Sequence, residues 1–311
     1  MLKIIYAGTP EFALPALQAL LQSRHRVVAV YTQPDRPAGR GRKLQASPVK
    51  SCALEHSVPV FQPESFKSEA DIDSLAELQA DLMIVAAYGL LLPPAVLTAP
   101  RLGCVNIHAS LLPRWRGASP IQQAILAGDS HSGVTLMKME QGLDSGDMIA
   151  SRSVEIDERW SAGELHDRLA PLGAKLLMSN LDDIEERLQT ARPQDEAQVT
   201  YAPRLVKQQA QVDWQKPLAQ LLREVRAFSP WPVSYSAIDG DNLRLWRAQA
   251  GARAAGGEAG VVLGHDSKGV YVQCGDGVMQ ITELQFAGRK RCSAAEALNA
   301  RDLSGCRLGK S

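Results

Sequence analysis

The stretch LKIIYAGTPEFALPALQALLQSRHRVVAVY, residues 2–31, predicts the fold of the first half of the chain. Leu2–Ala7 is a short apolar run that ends in Gly8-Thr9-Pro10, and Val27–Tyr31 is a second run rich in β-branched residues. Between the two runs, large apolar residues recur at helical spacing. These residues are Phe12, Leu14, Leu17, Leu20 and Leu21. A strand, a helix and another strand in this order are typical of a parallel sheet with helical crossovers.

The same alternation of strand and helix signals continues to about residue 189. Strands are predicted at Leu82–Ala87, Val105–His108 and Val134–Met139. One helix is predicted to begin at Ser119-Pro120, because proline is favoured at the first helical position. Another is predicted from Ser161, where Ser161-x-x-Glu164 forms a capping box, to about Leu188. Residues 1–189 therefore predict an α/β domain with a Rossmann-like open parallel sheet.

The second half of the chain has a different texture. Residues 190–206 contain two prolines and no clear period, which predicts a linker. Residues 207–311 predict one helix, Leu218–Phe228, and then short strands separated by Gly/Asp turns. The strands are Ser234–Ile238, Leu243–Ala248, Gly260–Leu263, Val270–Cys274 and Met279–Leu284. Five short strands favour a smaller β-barrel of the OB type, a fold that often binds oligonucleotides.

The composition is that of an ordinary soluble protein. The 311 residues are 45% hydrophobic and have a mean hydropathy of −0.15. Because no apolar run approaches the roughly 20 residues needed to span a bilayer, and the N-terminus runs straight into a predicted strand, we expect a cytoplasmic protein. Its 5 scattered cysteines lack a C-x-x-C pair and predict reduced thiols. Most histidines lack metal-ligand spacing, so no metal is expected.

The net charge of zero conceals an asymmetry between the two halves. Residues 1–205 contain 20 Lys+Arg and 24 Asp+Glu, a net charge of −4, whereas residues 206–311 contain 14 and 10, a net charge of +4. The C-terminal half could therefore meet a polyanion, although an ordinary solvated surface has the same composition.

A second basic feature lies near the N-terminus. From Arg36 to Leu54 there are five basic residues and no acid: Arg36, Arg40, Arg42, Lys43 and Lys50. Gly39 and Gly41 alternate with arginines, which indicates a mobile cationic loop. A solvated loop without a partner is the plain alternative.

Two polar residues mark the end of one predicted strand. Asn106 and His108 are two positions apart, so their side chains project from the same face. In open α/β sheets, ligands bind outside the carboxyl ends of the strands. Asp144, in the segment GLDSGD, adds a carboxylate. An amide, an imidazole and a carboxylate together suit acyl transfer without a covalent intermediate.

Each of these residues also has a structural interpretation. Asn-x-His on a strand is commonly structural, and Asp between glycines is common in turns. Cys104, close to this pair, is expected to be a buried apolar strand residue. The absence of G-x-G-x-x-G after the first strand argues against a dinucleotide cofactor.

The combination of motifs resembles the folate-dependent formyltransferase family. The matching residues are Asn106-x-His108-x-Ser110-Leu111-Leu112-Pro113, followed by Asp144-x-Gly146-Asp147. Further matching segments are AGTPEFA (7–13), QPDRPAGRGRKL (33–44), AAYGLLLP (86–93) and RAFSPWP (226–232). They extend the resemblance over both predicted domains and toward the members that formylate methionyl initiator tRNA. Ala109 stands where relatives commonly have Gly, a small change.

The resemblance implies a role for each residue of the candidate catalytic set. Asn106 and His108 would polarise the formyl carbonyl of 10-formyltetrahydrofolate and stabilise the oxyanion of the tetrahedral intermediate. Asp144 would accept a proton from the attacking amine, through water, and set the protonation state of the imidazole.

The resemblance also implies binding residues for both substrates. The folate pocket would be formed by Tyr88, Gly89, Leu90, Leu91, Leu92, Ser110, Leu111, Leu112 and Pro113. The initiator tRNA would be held by the basic loop through Arg36, Arg40, Arg42 and Lys43, and by the C-terminal domain. Nothing in the sequence requires more than a monomer.

Three other functions stay open at this point. A formyltransferase for a small amine, such as a purine precursor or a sugar nucleotide, would need neither the basic loop nor a basic second domain. A hydrolase of the folate donor would use the same three residues with water as acceptor. A non-catalytic RNA-binding protein would not need an intact Asn, His and Asp set.

Overall fold

The computed structural model describes residues 1–38, 43–238, 240–298 and 303–309, which form two compact units. The first unit is built from Met1–Pro120, His131–Glu155 and His166–Ala202, and the second from Ile121–Ser130, Ile156–Leu165 and Pro203–Ser311. Within the described ranges, no helix is both long and apolar enough to cross a membrane.

Up to residue 202 the chain alternates between strands and helices. The strands are β1 Lys3–Gly8, β2 Arg26–Tyr31, β3 Arg36–Ala38, β4 Lys43–Gln45, β5 Val60–Phe61, β6 Leu82–Ala86, β7 Cys104–His108, β8 Arg116–Gly117, β9 His131–Lys138, β10 Met148–Glu155 and β11 Tyr201–Ala202. The helices are α1 Leu14–Leu21, α2 Pro48–Glu55, α3 Glu69–Ala76, α4 Pro94–Leu97, α5 Pro120–Ala127, α6 Ala162–Leu181 and α7 Ile184–Gln189. Glu11–Ala13 and Glu196–Gln198 are short 3₁₀ helices.

Seven of these strands form the central sheet, in the order β10-β9-β7-β6-β1-β2-β5. The five strands from β7 to β5 are parallel to one another, whereas β9 and β10 are antiparallel additions at one edge. Strands β6 and β7 are buried along their whole length, as expected for a parallel sheet covered on both faces. The predicted Rossmann-like sheet is therefore confirmed.

The predicted long helix from Ser161 to Leu188 is wrong at one point. Its start is confirmed, because the Ser161 backbone N–H donates to Glu164 at 2.8 Å and the Glu164 N–H donates to Ser161 Oγ at 3.3 Å. However, α6 ends at Leu181 and α7 begins at Ile184. Asp182 lies at the break and bonds to Arg24 and His25, both at 2.9 Å. Aspartate has low helix propensity, and its bonds to Arg24 and His25 further favour the end of the helix at this position.

The C-terminal unit contains a six-stranded antiparallel sheet. Its elements are a 3₁₀ helix Lys207–Ala210, α8 Leu218–Ala227, β12 Ser234–Ile238, β13 Asp241–Ala250, β14 Val262–Asp266, β15 Gly269–Gln273, β16 Val278–Gln285, β17 Cys292–Ser293 and α9 Ala294–Leu298. The strand order is β12-β13-β16-β15-β14, and β17 pairs with β16. Leu221 and Val225 of α8 share a core with the strands. The smaller β domain is confirmed, while closure into an OB-type barrel stays a prediction.

Candidate active site

The candidate site begins at the carboxyl ends of two neighbouring parallel strands, β6 and β7. Val85 of β6 pairs with Asn106 of β7, so the segments that follow the two strands leave the same edge of the sheet. Asn106 and His108 are both buried. They lie two residues apart on β7 and project from the same face, as the strand period requires.

The fold brings Asp144 close to Asn106 and His108, although more than thirty residues separate it from them in the sequence. Asn106 Nδ2 donates a hydrogen bond to Asp144 Oδ1 at 3.4 Å. His108 Nδ1 lies 3.6 Å from Asp144 Oδ2, an ion pair when the ring is protonated. The backbone N–H of Gly117 donates to the same Oδ2 at 2.8 Å. The carboxylate is therefore held by several groups, two of which were predicted as its neighbours.

Both ring nitrogens of His108 have assigned neighbours. Nε2 lies 2.9 Å from the backbone carbonyl oxygen of Trp115. A carbonyl only accepts, so this partner assigns a hydrogen to Nε2. Nδ1 lies on the side of the Asp144 carboxylate, and the hydrogen bond at Nε2 holds the ring in this orientation.

The loop after β7 is shaped by hydrogen bonds rather than by regular structure. Ser110 Oγ donates to the carbonyl oxygen of Arg114 at 2.6 Å. Thr135 of β9 donates to the carbonyl oxygen of Ser110 at 2.7 Å and accepts from the Leu112 N–H at 3.2 Å. Ser110 and Leu112 are buried, whereas Leu111 and Pro113 are half-buried. The loop therefore has a defined shape beside Asn106 and His108.

The segment after β6 exposes backbone and leucine side chains at the same edge. Ala87 and Gly89 have positive φ angles of 46° and 84°, so the chain turns sharply there. The Tyr88 side chain is buried in the core, and the centroid of its ring lies 6.4 Å from that of the Phe66 ring. Leu91 is 90% exposed, while Leu90 and Leu92 are half-buried. Apolar surface is thus available beside the polar cluster.

The basic loop is partly described. Arg36 is exposed on β3, and its Nη2 donates to Gln33 Oε1 at 3.0 Å. Lys43 begins β4 and pairs through its backbone with Ala38. Arg40 and Arg42 lie outside the described residues. Lys50 is instead bound to Asp35 at 2.7 Å.

Cys104 is confirmed as a buried strand residue. Its thiol lies on β7, and burial raises the pKa of Cys104 to about 12. A thiol with this pKa stays protonated near neutral pH and is a poor nucleophile. The residues that the structure describes also contain no group of three or more His, Cys, Asp or Glu side chains that could hold a metal ion.

Sequence reasoning missed several residues that hold this cluster in shape. Gly117 supplies an N–H to Asp144, and Thr135 fixes the loop after β7. Gln194, in the predicted linker, donates to the backbone carbonyls of Asp144 and Gly146, both at 2.8 Å. A lone glutamine in a stretch without periodicity gives no signal for such a contact.

The amide, the imidazole and the carboxylate brought together beside β7 can stabilise a developing oxyanion and accept a proton, which is the chemistry that group transfer to an amine requires. The chain matches the family description "Formyl transferase" over residues 2–181 and "Formyl transferase, C-terminal domain" over residues 204–302. The chain therefore belongs to the formyl transferase family.

Relatives that match nearly the full chain define the branch of the family. A methionyl-tRNA formyltransferase of Methylococcus capsulatus is 53% identical over 99% of this chain and 100% of its own length. A methionyl-tRNA formyltransferase of Coxiella burnetii is 48% identical over 96% of this chain and 95% of its own. Among solved structures, HypX from Aquifex aeolicus in complex with tetrahydrofolic acid has a TM-score of 0.64 at 18% identity. The match covers 96% of this chain and 47% of HypX. At this identity the similarity shows the fold alone.

Proposed function

We propose that this chain transfers the formyl group of 10-formyltetrahydrofolate to the free amino group of methionyl initiator tRNA, for translation initiation. The observation that carries the proposal is the cluster in which the Asp144 carboxylate lies 3.4 Å from Asn106 Nδ2 and 3.6 Å from His108 Nδ1. This cluster lies in a chain whose full-length relatives are methionyl-tRNA formyltransferases.

Asn106 and His108 hold the formyl oxygen in this proposal. The donor supplies an electrophilic carbonyl, and charge develops on its oxygen when an amine attacks. The amide hydrogen of Asn106 that does not bond to Asp144, and the His108 Nε2–H, which the formyl oxygen shares with the Trp115 carbonyl, stabilise that charge. The hydrogen bond to the Trp115 carbonyl keeps the His108 ring in one orientation.

Asp144 manages the proton of the amine. A neutral α-amino group attacks readily, because its pKa in model peptides is about 7.7–8.0. The proton released on attack passes through water to Asp144, whose Oδ2 faces His108. Collapse of the tetrahedral intermediate then breaks the bond between the formyl carbon and N10 of the folate, and N10 takes up a proton as tetrahydrofolate leaves. A nucleophilic Ser or Cys is not needed, which agrees with the buried, protonated thiol of Cys104.

The loops at the carboxyl ends of β6 and β7 form the folate pocket in this proposal. The exposed backbone at Gly89 and the side chains of Leu90–Leu92 suit a flat ring with polar edges. Ser110–Pro113 lines the other side. The fold neighbour HypX, in complex with tetrahydrofolic acid, supports a folate-type donor.

Two basic regions contact the tRNA in this proposal. Arg36, Arg40, Arg42 and Lys43 contact the phosphates of the acceptor end, near its first base pair. The C-terminal unit, whose residues 206–311 have a net charge of 14 − 10 = +4, contacts the tRNA body. We further propose that the enzyme acts in the cytoplasm, as a monomer and without a metal.

The direct test is formyl transfer from 10-formyltetrahydrofolate to methionyl initiator tRNA, with methionyl elongator tRNA assayed alongside. Transfer to the initiator, undiminished by EDTA, is the expected result. Transfer to a sugar nucleotide or a purine precursor, with neither tRNA accepted, would instead assign the small-amine function.

A further inference from the structure

One buried side chain binds the backbone on both sides of Ser145. The Gln194 amide group donates to the carbonyl oxygens of Asp144 and Gly146, both at 2.8 Å, so both of its hydrogens are used. Gln194 is 8% exposed. Its other atom, Oε1, accepts from Arg116 Nε at 2.9 Å. All the hydrogen-bonding groups of this side chain except one lone pair are thereby engaged.

The partner of Gln194 also bonds to a third side chain. Arg116 is buried, and its Nη2 forms an ion pair with Glu196 Oε1 at 2.8 Å. A chain of hydrogen bonds therefore runs from Glu196 through Arg116 and Gln194 to the backbone of Asp144. An arginine donor polarises the amide of Gln194, which strengthens the bonds that this amide donates.

The segment that carries Gln194 is tied to the site at two further places. Arg192 and Met148 exchange backbone hydrogen bonds of 2.7 and 2.9 Å. Strand β11 pairs in parallel with β8, opposing Ala202 to Gly117. Gly117 is the residue whose N–H reaches the Asp144 carboxylate. Residues 192–202 thus contact both the backbone of Asp144 and a donor to its side chain.

The backbone conformation of Asp144 is one that such contacts stabilise. Its φ of 48° lies in the left-handed region, which aspartate adopts more readily than most non-glycine residues but less readily than glycine. Strained conformations persist only where surrounding contacts fix them. The bonds from Gln194 hold the carbonyl groups of Asp144 and Gly146, the residues before and after Ser145, and so fix the direction in which the carboxylate leaves the backbone.

We propose that Gln194 is a positioning residue that sets the distance between the Asp144 carboxylate and His108 in the formyl-transfer reaction. This inference rests on the proposed function. Gln194 acts through Asp144 and does not touch the substrates. Displacement of a catalytic group by about 1 Å can cost about a hundredfold in rate.

Two substitutions separate positioning from packing. Gln194→Met keeps the approximate volume and removes all three hydrogen bonds. Gln194→Glu keeps an acceptor for Arg116, and so keeps the segment attached, but turns an oxygen toward the Asp144 and Gly146 carbonyls in place of the donors. We expect both variants to lower kcat about ten- to a hundredfold, while KM for each substrate stays within about twofold. Gln194→Glu is expected to fold but to unfold at a lower temperature than the wild type, because its carboxylate faces two buried carbonyl oxygens.

The matched control is Gln198→Met in the same segment, where Gln198 is exposed and bonds only to neighbouring Asp195 among the contacts observed. It should retain wild-type kcat. A folded Gln194→Glu variant with wild-type kcat, or with its loss confined to KM, would refute the positioning role. Absence of transfer by the wild type would instead refute the proposed function and this inference with it.

Discussion

Replacing Asp144 by asparagine removes one charge and almost no volume, so the result reports on the carboxylate itself. Two of its neighbours, Asn106 Nδ2 and the Gly117 N–H, are donors, at 3.4 and 2.8 Å. An amide has a single acceptor oxygen, so its NH₂ group must face one of these donors in either orientation. The His108 ring, 3.6 Å away, also loses its anionic partner. We therefore expect Asp144→Asn to lose both the alignment and the proton acceptor.

The expected loss in kcat is about a hundred- to ten-thousandfold, the range for a positioned acid or base, or roughly 2.7–5.4 kcal/mol of activation free energy. Single-turnover transfer at saturating substrates measures it. The control is Asp167→Asn, because Asp167 also lies against a histidine Nδ1, that of His166 at 2.9 Å, but its side chain is 79% exposed. A loss of less than tenfold for Asp144→Asn, or equal losses in both variants, would refute this role of the carboxylate.

Three further changes test other parts of the account. Arg42→Ala should lower kcat/KM for the initiator tRNA, and should reduce the slope of log(kcat/KM) against log[salt] by about one, while KM for the folate donor is unchanged. Gly117→Ala places a Cβ 2.7 Å from the Ala202 carbonyl oxygen at a φ of +120°, and should lower the free energy of unfolding in urea by about 2–3 kcal/mol. The control Gly288→Ala, at a φ of +70° in open space, should lower it by about 1 kcal/mol. Equal losses would contradict the close approach of Gly117 to Ala202. Partial burial raises the pKa of Glu164, but hydrogen bonds from Ser161 and Arg247 outweigh burial and lower that pKa to about 2. The free energy of unfolding lost in Glu164→Gln should therefore be largest above pH 4.5 and should shrink as the pH falls toward 2. A loss that does not depend on pH would contradict a stabilising ion pair between Glu164 and Arg247.

The sequence predicted the central sheet well because its strands are buried on both faces. Such strands are continuous apolar runs, as Leu82–Ala86 is, and in Cys104–His108 the apolar residues alternate with Asn106 and His108. Strand β10 was not predicted. It is an edge strand with exposed polar residues from Ser151 to Ser153, so it carries no apolar run. The two-residue strands β5, β8, β11 and β17 are too short to give any pattern.

The candidate site was predictable where it depends on local geometry. The period of a strand places Asn106 and His108 on one face, and the strand end places them where ligands bind. The grouping with Asp144 was suggested by the combination of motifs. Gln194 could not be predicted, because its contacts with Asp144 and Gly146 exist only in the folded chain. Residue type alone gives no information on which distant carbonyls a buried glutamine will bind.

The measurement closest to the central claim is the fate of a labelled formyl group when the wild-type protein meets 10-formyltetrahydrofolate with and without methionyl initiator tRNA. We expect the label to move only when this tRNA is present, to appear on its amino group in equal amount to the donor consumed, and never on the protein. Release of labelled formate without an acceptor would identify a hydrolase. Label bound covalently to the protein would contradict direct transfer at Asn106, His108 and Asp144.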